Sequence, residues 1–322
     1  MKQPRLVTFG EAMVRLSPSP GERIATTPTL VVQIGGAELN VAISAAAMGA
    51  EATWISSLPE GNPIATQIIR HANSYGVSAS IVPRPERVGL YFVEVGPEPR
   101  GSVVHYDRAN SAFSFLTSEE SGFVERTHGA DALFSTGISL AVLPDKAHVV
   151  QDFFDSRSGA LKCFEINYRR KLWDREGALR VMKSIIDQVD ILFASSHDLT
   201  KLFAFDSDSI RAAQIAVKEF GLSLLCMPAR DGSVGSMSTN RMTAVSSDGV
   251  VSSECSGRVI DPIGAGDAGT GAFLGEYLSS GDVEMATQIS VRASALAQTI
   301  NGDAAGFSRE EILESSKLRI RR

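Results

Sequence analysis

The stretch Asp261-Pro262-Ile263-Gly264-Ala265-Gly266-Asp267, continuing Ala268-Gly269-Thr270-Gly271-Ala272-Phe273, is a loop of small residues entering a helix. Glycines there let backbone N–H groups converge on an anion, and the start of a helix adds partial positive charge. Gly264, Ala265 and Gly266 are therefore a candidate anion hole. A carboxylate at Asp267 beside a phosphate site would repel its ligand unless it had a task, and accepting the proton of an attacking hydroxyl is the obvious one. Helix capping is the plain alternative for such an Asp, and the stretch by itself leaves capping slightly ahead. Gly35-Gly36 opens a second helix with Asn40 one turn in. Its N–H groups and Asn40 could receive the hydroxyls of a sugar, with close helix packing as the simple alternative. No Lys-Ser or Lys-Thr follows these glycines and no GxGxxG is present, so neither a Walker A loop nor a dinucleotide fold is indicated.

Short apolar runs alternate with helical patterns. Leu6-Phe9, Ala52-Ser57, Ala132-Ser135, Leu161-Asn167, Ile191-Ala194 and Ser223-Met227 read as buried strands. Asn62 caps a helix that begins at Pro63 and ends before Gly76, and Gly49 closes another running from about Leu39 to Met48. Such alternation predicts an α/β fold, a mostly parallel central sheet with helices on both faces, with ligands at the carboxyl ends of its strands. Val88-Val95 and Ser102-Asp107 read as an antiparallel hairpin, and Val14-Ile34 is equally strand-like. We read the chain as one α/β domain over residues 1–322 with a small β lid inserted at about 12–35 and 88–110. Period-two alternation places Tyr91 with Val93 and Val95, and Tyr106 with Val104 and Arg108. A Tyr and an Arg pointing the same way could cover a polar, anionic ligand. The pattern alone favours the plainer reading of one buried aromatic and one solvated Arg.

The composition narrows the classes. With 322 residues, 43% of them hydrophobic, the chain can bury a full core. A formal net charge of -6 argues against nucleic acid or an anionic membrane as partner. The basic cluster Lys317, Arg319, Arg321 and Arg322 reads as a solvated terminus. Met1 to Gly10 lacks the pattern of a secretory signal and no apolar run could span a bilayer, so a soluble, cytoplasmic protein is expected. Cys163, Cys226 and Cys255 are far apart with no CxxC pair, which reads as reduced, buried thiols.

Together, Gly35-Gly36-x-x-x-Asn40 and Asp261-x-x-Gly264-Ala265-Gly266-Asp267 resemble the two sequence patterns of the ribokinase-like family of carbohydrate kinases, in order and in separation. The resemblance runs over nearly the whole chain. It implies a helix-sandwiched sheet with a β lid that often forms a dimer interface, hence a homodimer through the lid. It also implies Asp267 as catalytic base, Gly264-Ala265-Gly266 as anion hole, and ATP and Mg²⁺ as donor and cofactor, with a monovalent cation allowed. Three further stretches look like 2-keto-3-deoxygluconate kinases: Gly10 to Pro18; Gly89 to Glu94 with Tyr106 to Ala112; and Glu165-Ile166-Asn167-Tyr168-Arg169. By that resemblance Gly35, Gly36, Asn40, Tyr91, Tyr106, Arg108, Asn167 and Arg169 bind the substrate. Guanidinium forks suit an acid where a neutral hexose would not require them. The reaction implied is transfer of the γ-phosphoryl group of ATP to the 6-hydroxyl of the keto acid. A kinase for fructose or another sugar, and a catalytically weak sugar-acid binding protein, are the alternatives.

The departures from the family lie on the nucleotide side. Met227-Pro228-Ala229-Arg230-Asp231-Gly232 keeps only the last glycine of a Gly-x-x-Gly turn. Ser195-Ser196-His197-Asp198 replaces an Asn- or Ser-x-x-Glu element, leaving Asp198 as a shorter carboxylate for a hydrated Mg²⁺. Ser195, Asp198, Arg230 and Gly232 are the nucleotide-binding candidates, with Asp198 reaching the metal through water. Gly269 stands where a bulkier residue is usual and should loosen the first helical turn by up to ~1 kcal/mol relative to Ala.

Overall fold

In a computed structural model, residues 3–143, 146–205 and 209–315 are described. The basic cluster Lys317, Arg319, Arg321 and Arg322 lies outside them. The strands are β1 Arg5–Phe9, β2 Met13–Ser17, β3 Val31–Gly35, β4 Glu51–Pro59, β5 Val77–Arg84, β6 Leu90–Glu94, β7 Val103–Asp107, β8 Ala132–Thr136, β9 Leu161–Glu165, β10 Ile191–Phe193, β11 Leu224–Arg230, β12 Met237–Val245 and β13 Val250–Arg258. Nine of them form one sheet in the order β13-β12-β11-β10-β9-β8-β1-β4-β5, and β3-β2-β6-β7 form a second. From β11 to β5 neighbouring strands run parallel, whereas β12 and β13 add an antiparallel edge. This is the mostly parallel α/β sheet that the alternation predicts, with the second, small sheet that the resemblance to ribokinase-like kinases implies.

Strand alternation sends side chains to two cores. Val7, Phe9, Leu133 and Phe164 join the cluster on one face of the large sheet, while Leu6, Ala132, Phe134 and Cys163 join that on the other. The second face is covered by the helix Ala265–Ser280, whose Phe273 meets Phe193 edge-on at 5.7 Å. That helix is buried along most of its length, which explains its run of small residues. A Cβ on Gly271 would lie 2.3 Å from Val41 O, and one on Gly275 would lie 2.6 Å from Met48 Cβ. The backbones of Ala37–Ala47 and Ala265–Ser280 thus pack almost in contact, fastened by Ser44 Oγ donating to Ala268 O at 2.7 Å.

Gly269 corrects an expectation. Rather than merely loosening the helix, its missing side chain makes room for the neighbouring helix Val283–Ala297, since a Cβ there would lie 2.2 Å from Ser294 Oγ. The helix expected from Leu39 begins at Ala37, and β9 stops at Glu165 because Asn167 turns into the left-handed region at φ 41°. β11 runs on to Arg230 because β12 pairs with it that far.

The small sheet bears out the hairpin. β6 and β7 are antiparallel with Tyr91 opposite Tyr106 and Val93 opposite Val104, so both tyrosines share a face. β2 pairs antiparallel with β3 and parallel with β6. Among the described residues no helix is long and apolar enough to cross a membrane. Cys163 and Cys226 are buried and free, and Cys255 is half-buried and free. Substituting Gly271→Ala should cost about 1–3 kcal/mol of stability, because neither facing backbone can retreat without moving a whole helix; urea denaturation would measure it.

Candidate active site

A cleft of about 510 Å³ opens between the small sheet, the strand ends of the large one and the starts of the two glycine-led helices. Asp267 lies in it as the third residue of its helix, and the N-cap is Gly264, with no side-chain cap, so Asp267 does not serve as a cap. The first backbone N–H bonded within the helix is that of Ala268, to Gly264 O at 2.9 Å. The N–H groups of Ala265, Gly266 and Asp267 are thus the leftover donors of a helix start. Gly264 is forced by φ 79° and by Asp303 O, 2.0 Å from where its Cβ would be. Gly266 by contrast is exposed, with nothing within 4 Å of its missing Cβ, so that side is open to a ligand.

Asn40 Nδ2 donates to Asp267 Oδ2 at 2.7 Å, so its amide faces the carboxylate rather than standing free for hydroxyls, and its buried Oδ1 has no partner. Burial among cleft walls pushes the Asp267 carboxyl well above the usual carboxylate range; the Asn40 bond opposes this, and Asp303 adds to it. Glu165, at the end of β9, is likewise raised, first by burial and then by Asp267. Its Oε2 is buried without a partner.

A charged knot closes one wall. Arg15 on β2 is 1% exposed, and its Nη1 donates to Asp303 Oδ1 at 2.7 Å while its Nη2 donates to Asp261 Oδ2 at 2.5 Å. Its Nε donates to Ser17 Oγ at 2.9 Å, and Tyr91 OH donates to the second Asp303 oxygen at 2.6 Å. A Cβ on Gly35 would strike both Tyr91 OH and Asp303, at 2.0 and 2.5 Å, so this glycine is required by the knot. Gly36 is required by Glu11 O, 2.4 Å from its would-be Cβ.

Arg108 also lines the cleft, and its Nε and Nη2 both donate to Glu11 Oε2. Its guanidinium is therefore neither solvated nor free: a buried carboxylate already holds one edge of it. The Tyr91 and Tyr106 rings stack at 5.9 Å, with Arg108 over Tyr106 at 5.9 Å. Glu38 is buried and accepts from Thr136 and Ser139 hydroxyls at 2.7 Å each, its carboxyl raised by burial. Asn167 and Arg169 line the cleft, and Arg169 is exposed with no side-chain hydrogen bond or ion pair among the described residues.

Of the nucleotide-side candidates, Ser195 and Arg230 line the cleft and Asp198 and Gly232 do not. Asp198 Oδ2 accepts from Ser195 N and Oγ at 3.0 and 2.7 Å, holding that loop's shape. Gly232 serves a turn at φ 85°, packed on Met237 O. Arg230 Nη1 donates to Pro262 O at 3.0 Å, bracing the loop before the anion hole. The described residues contain no group of three or more His, Cys, Asp or Glu placed to hold a metal.

Residues 3–308 match the pfkB family of carbohydrate kinases, which is most of the chain. The chain belongs to that family. This carbohydrate kinase is 31% identical over 310 residues, 95% of each chain, to a 2-dehydro-3-deoxygalactonokinase of Haloferax volcanii. It is 28% identical to a 2-dehydro-3-deoxygluconokinase of Thermoproteus tenax, covering 92% of this chain and 89% of that one. Among solved structures, a 2-dehydro-3-deoxygluconokinase of Thermotoga maritima superposes with a TM-score of 0.93 at 29% identity, covering 97% and 98% of the two chains.

Sequence reasoning passed over Glu11, Arg15, Asp303 and Glu165 as site residues of the kinase. An Arg inside the apolar strand Met13-Val14-Arg15-Leu16 was the available signal, since a buried guanidinium demands buried acids. Substituting Arg15→Met should cost about 3–5 kcal/mol by leaving Asp261 and Asp303 buried and unpaired, as read by urea unfolding at neutral pH. The folded chain also holds the Glu165 proton more tightly than the unfolded one. That group's contribution is therefore present below the ordinary glutamate pKa and is lost as pH rises through the raised value. Glu165→Gln should lessen the decline in stability above about pH 4, measured by denaturation across pH.

Proposed function

We propose that this carbohydrate kinase transfers the γ-phosphoryl group of ATP to the 6-hydroxyl of a 2-keto-3-deoxy sugar acid, with 2-keto-3-deoxygluconate as its main acceptor. The observation that carries the reading is a carboxylate hard to ionise, Asp267, set on the open N–H groups of a helix start and sharing its cleft with an unpaired guanidinium, Arg169. A base beside an anion hole is what hydroxyl phosphorylation requires, and a spare guanidinium is what a sugar acid requires. The names of the Haloferax and Thermoproteus relatives differ in epimer and agree in chemical class.

In this reading Arg169 and the free edge of Arg108 hold the carboxylate, with Tyr106 and Asn167 alongside. Tyr91 acts through Asp303, to which its hydroxyl is committed. Asn40 fixes Asp267 through one carboxylate oxygen, leaving the other for the substrate hydroxyl. As the hydroxyl oxygen attacks, its proton passes to Asp267, and charge on the transferring group falls on the N–H groups of Ala265, Gly266 and Asp267. The four-stranded sheet is the lid that excludes water, so that the sugar acid rather than water receives the phosphoryl group.

A divalent cation suits the donor end. Glu165 Oε2 is buried without a partner, and its carboxyl is raised partly by Asp267 and Asp198, a repulsion that a cation would relieve. Glu165, and Asp198 through water, would hold Mg²⁺, which when bound neutralises charge on the donor phosphates.

A coupled assay of ADP release over 2-keto-3-deoxygluconate, its galacto epimer and fructose tests the assignment: activity with the acids and little with fructose is expected, and preference for fructose rejects it. Asp267→Asn should lower kcat by roughly 10²–10⁴-fold, and Arg169→Leu should raise KM for the acid about 10- to 100-fold. Below its raised pKa Asp267 is protonated, so kcat/KM should fall on an acid limb lying above the ordinary aspartate range. Asn40→Ala, by removing a bond to the ionised form, should move that limb to higher pH.

A further inference from the structure

The cleft extends to β12 and the helix Val283–Ala297, where polar groups remain that the reaction above does not use. Asn240 belongs to the inward row of β12, between Ser238 and Met242, and is 4% exposed. It lines the cleft, its Nδ2 is buried, and neither end of its amide has a hydrogen bond among the described residues. Ser290, 1% exposed, lines the same cleft with a buried Oγ that also lacks a partner. Ser294 follows one helical turn later on the same wall. Both hydroxyls adjoin Gly269: a Cβ there would lie 2.2 Å from Ser294 Oγ and 3.2 Å from Ser290 Oγ. The glycine thus admits them beside the helix that carries Asp267. Met242 and Val291 supply apolar surface in the same wall.

Native proteins leave few buried polar side chains unpaired, because each has given up water and gained nothing in return. Here an amide and a hydroxyl are left so, on the same cleft wall. We propose that Asn240, with Ser290 lining the same cleft, reads the base of the phosphoryl donor and that it selects a 6-aminopurine. The proposal rests on the ATP-dependent reading and adds the specificity-determining residue. A carboxamide carries a donor and an acceptor side by side, which matches the N7 and amino group of adenine; guanine and hypoxanthine present two acceptors on that edge. The apolar side chains suit the faces of a planar ring.

Calorimetry on the full chain with ADP, GDP and IDP, in Mg²⁺ and without sugar, tests this independently of which acceptor is right. The unsubstituted protein should bind ADP at least about 10-fold more tightly than GDP or IDP, and Asn240→Leu should weaken ADP about 10-fold while moving GDP less than about 3-fold. Since leucine removes an unpartnered buried amide, the nucleotide-free Tm of Asn240→Leu should hold or rise. Ser290→Ala, a smaller change, should weaken ADP about 3-fold at unchanged Tm. Equal affinity for ADP and GDP in the unsubstituted protein overturns the proposal. So does an Asn240→Leu variant of lowered Tm with an unchanged ADP-to-GDP ratio, which would assign the amide to the fold. Absence of binding by any nucleotide overturns the ATP-dependent reading along with it. Base selectivity in a protein that does not phosphorylate keto acids supports the proposal and rejects the acceptor assignment alone.

Discussion

The near contact of two helix backbones is the constraint from which the site follows. Gly271 and Gly275 let Ala265–Ser280 lie against Ala37–Ala47 with no side chain between them, and the Ser44 bond to Ala268 O fixes the pair in register. Both helices begin at the cleft, so their first turns meet there, and Asn40 reaches Asp267 within hydrogen-bond distance. Any residue larger than glycine at the crossing would separate the amide from the carboxylate it orients. The glycines of the second motif therefore have two separate tasks: Gly264 and Gly266 shape the loop and leave room for a ligand, while Gly271 and Gly275 set the distance between helices.

Electrostatics then divides the cleft. Arg15 is spent on Asp261 and Asp303, and Arg108 is half spent on Glu11, so neither adds its full charge to the cleft. Arg169 stands unpaired beside Asp267 and Glu165, two carboxyls that burial keeps hard to ionise. A buried ion pair is weak evidence of stability, and what this one supplies is a link between distant segments. Here it ties the small sheet to the loop before the anion hole, which couples the placement of Tyr91 to that of Gly264.

Much of this was legible in the sequence because it depends on local rules. Strand alternation set Tyr91 with Val93 and Tyr106 with Val104, pairs that the hairpin register then brings to one face; glycine spacing marked both helix starts, and Asn62-Pro63 marked a third. What was not legible depends on partners distant in the chain. No local pattern links Arg15 to Asp303, or Arg108 to Glu11, and a free Arg looks the same in sequence as a paired one. Gly269 was misread for the same reason: helix propensity is a property of one segment, while its cause is a serine on the next helix. Asp198 and Gly232, carried over by resemblance, do not line the cleft: Asp198 holds the shape of the Ser195 loop and Gly232 a turn.

The Arg15–Asp303 bond spans 288 positions, joining the second strand made to one of the last loops. During synthesis the β2 guanidinium emerges early and has neither buried acid to meet until almost the whole chain is out. The wall of the cleft is thus a late, non-local assembly, although the small sheet is already seated on the early elements through Val14, Ile34 and Val88 against Leu39 and Trp54. A nascent chain can build much of the large parallel sheet in order, yet it cannot hold a substrate ahead of its own completion.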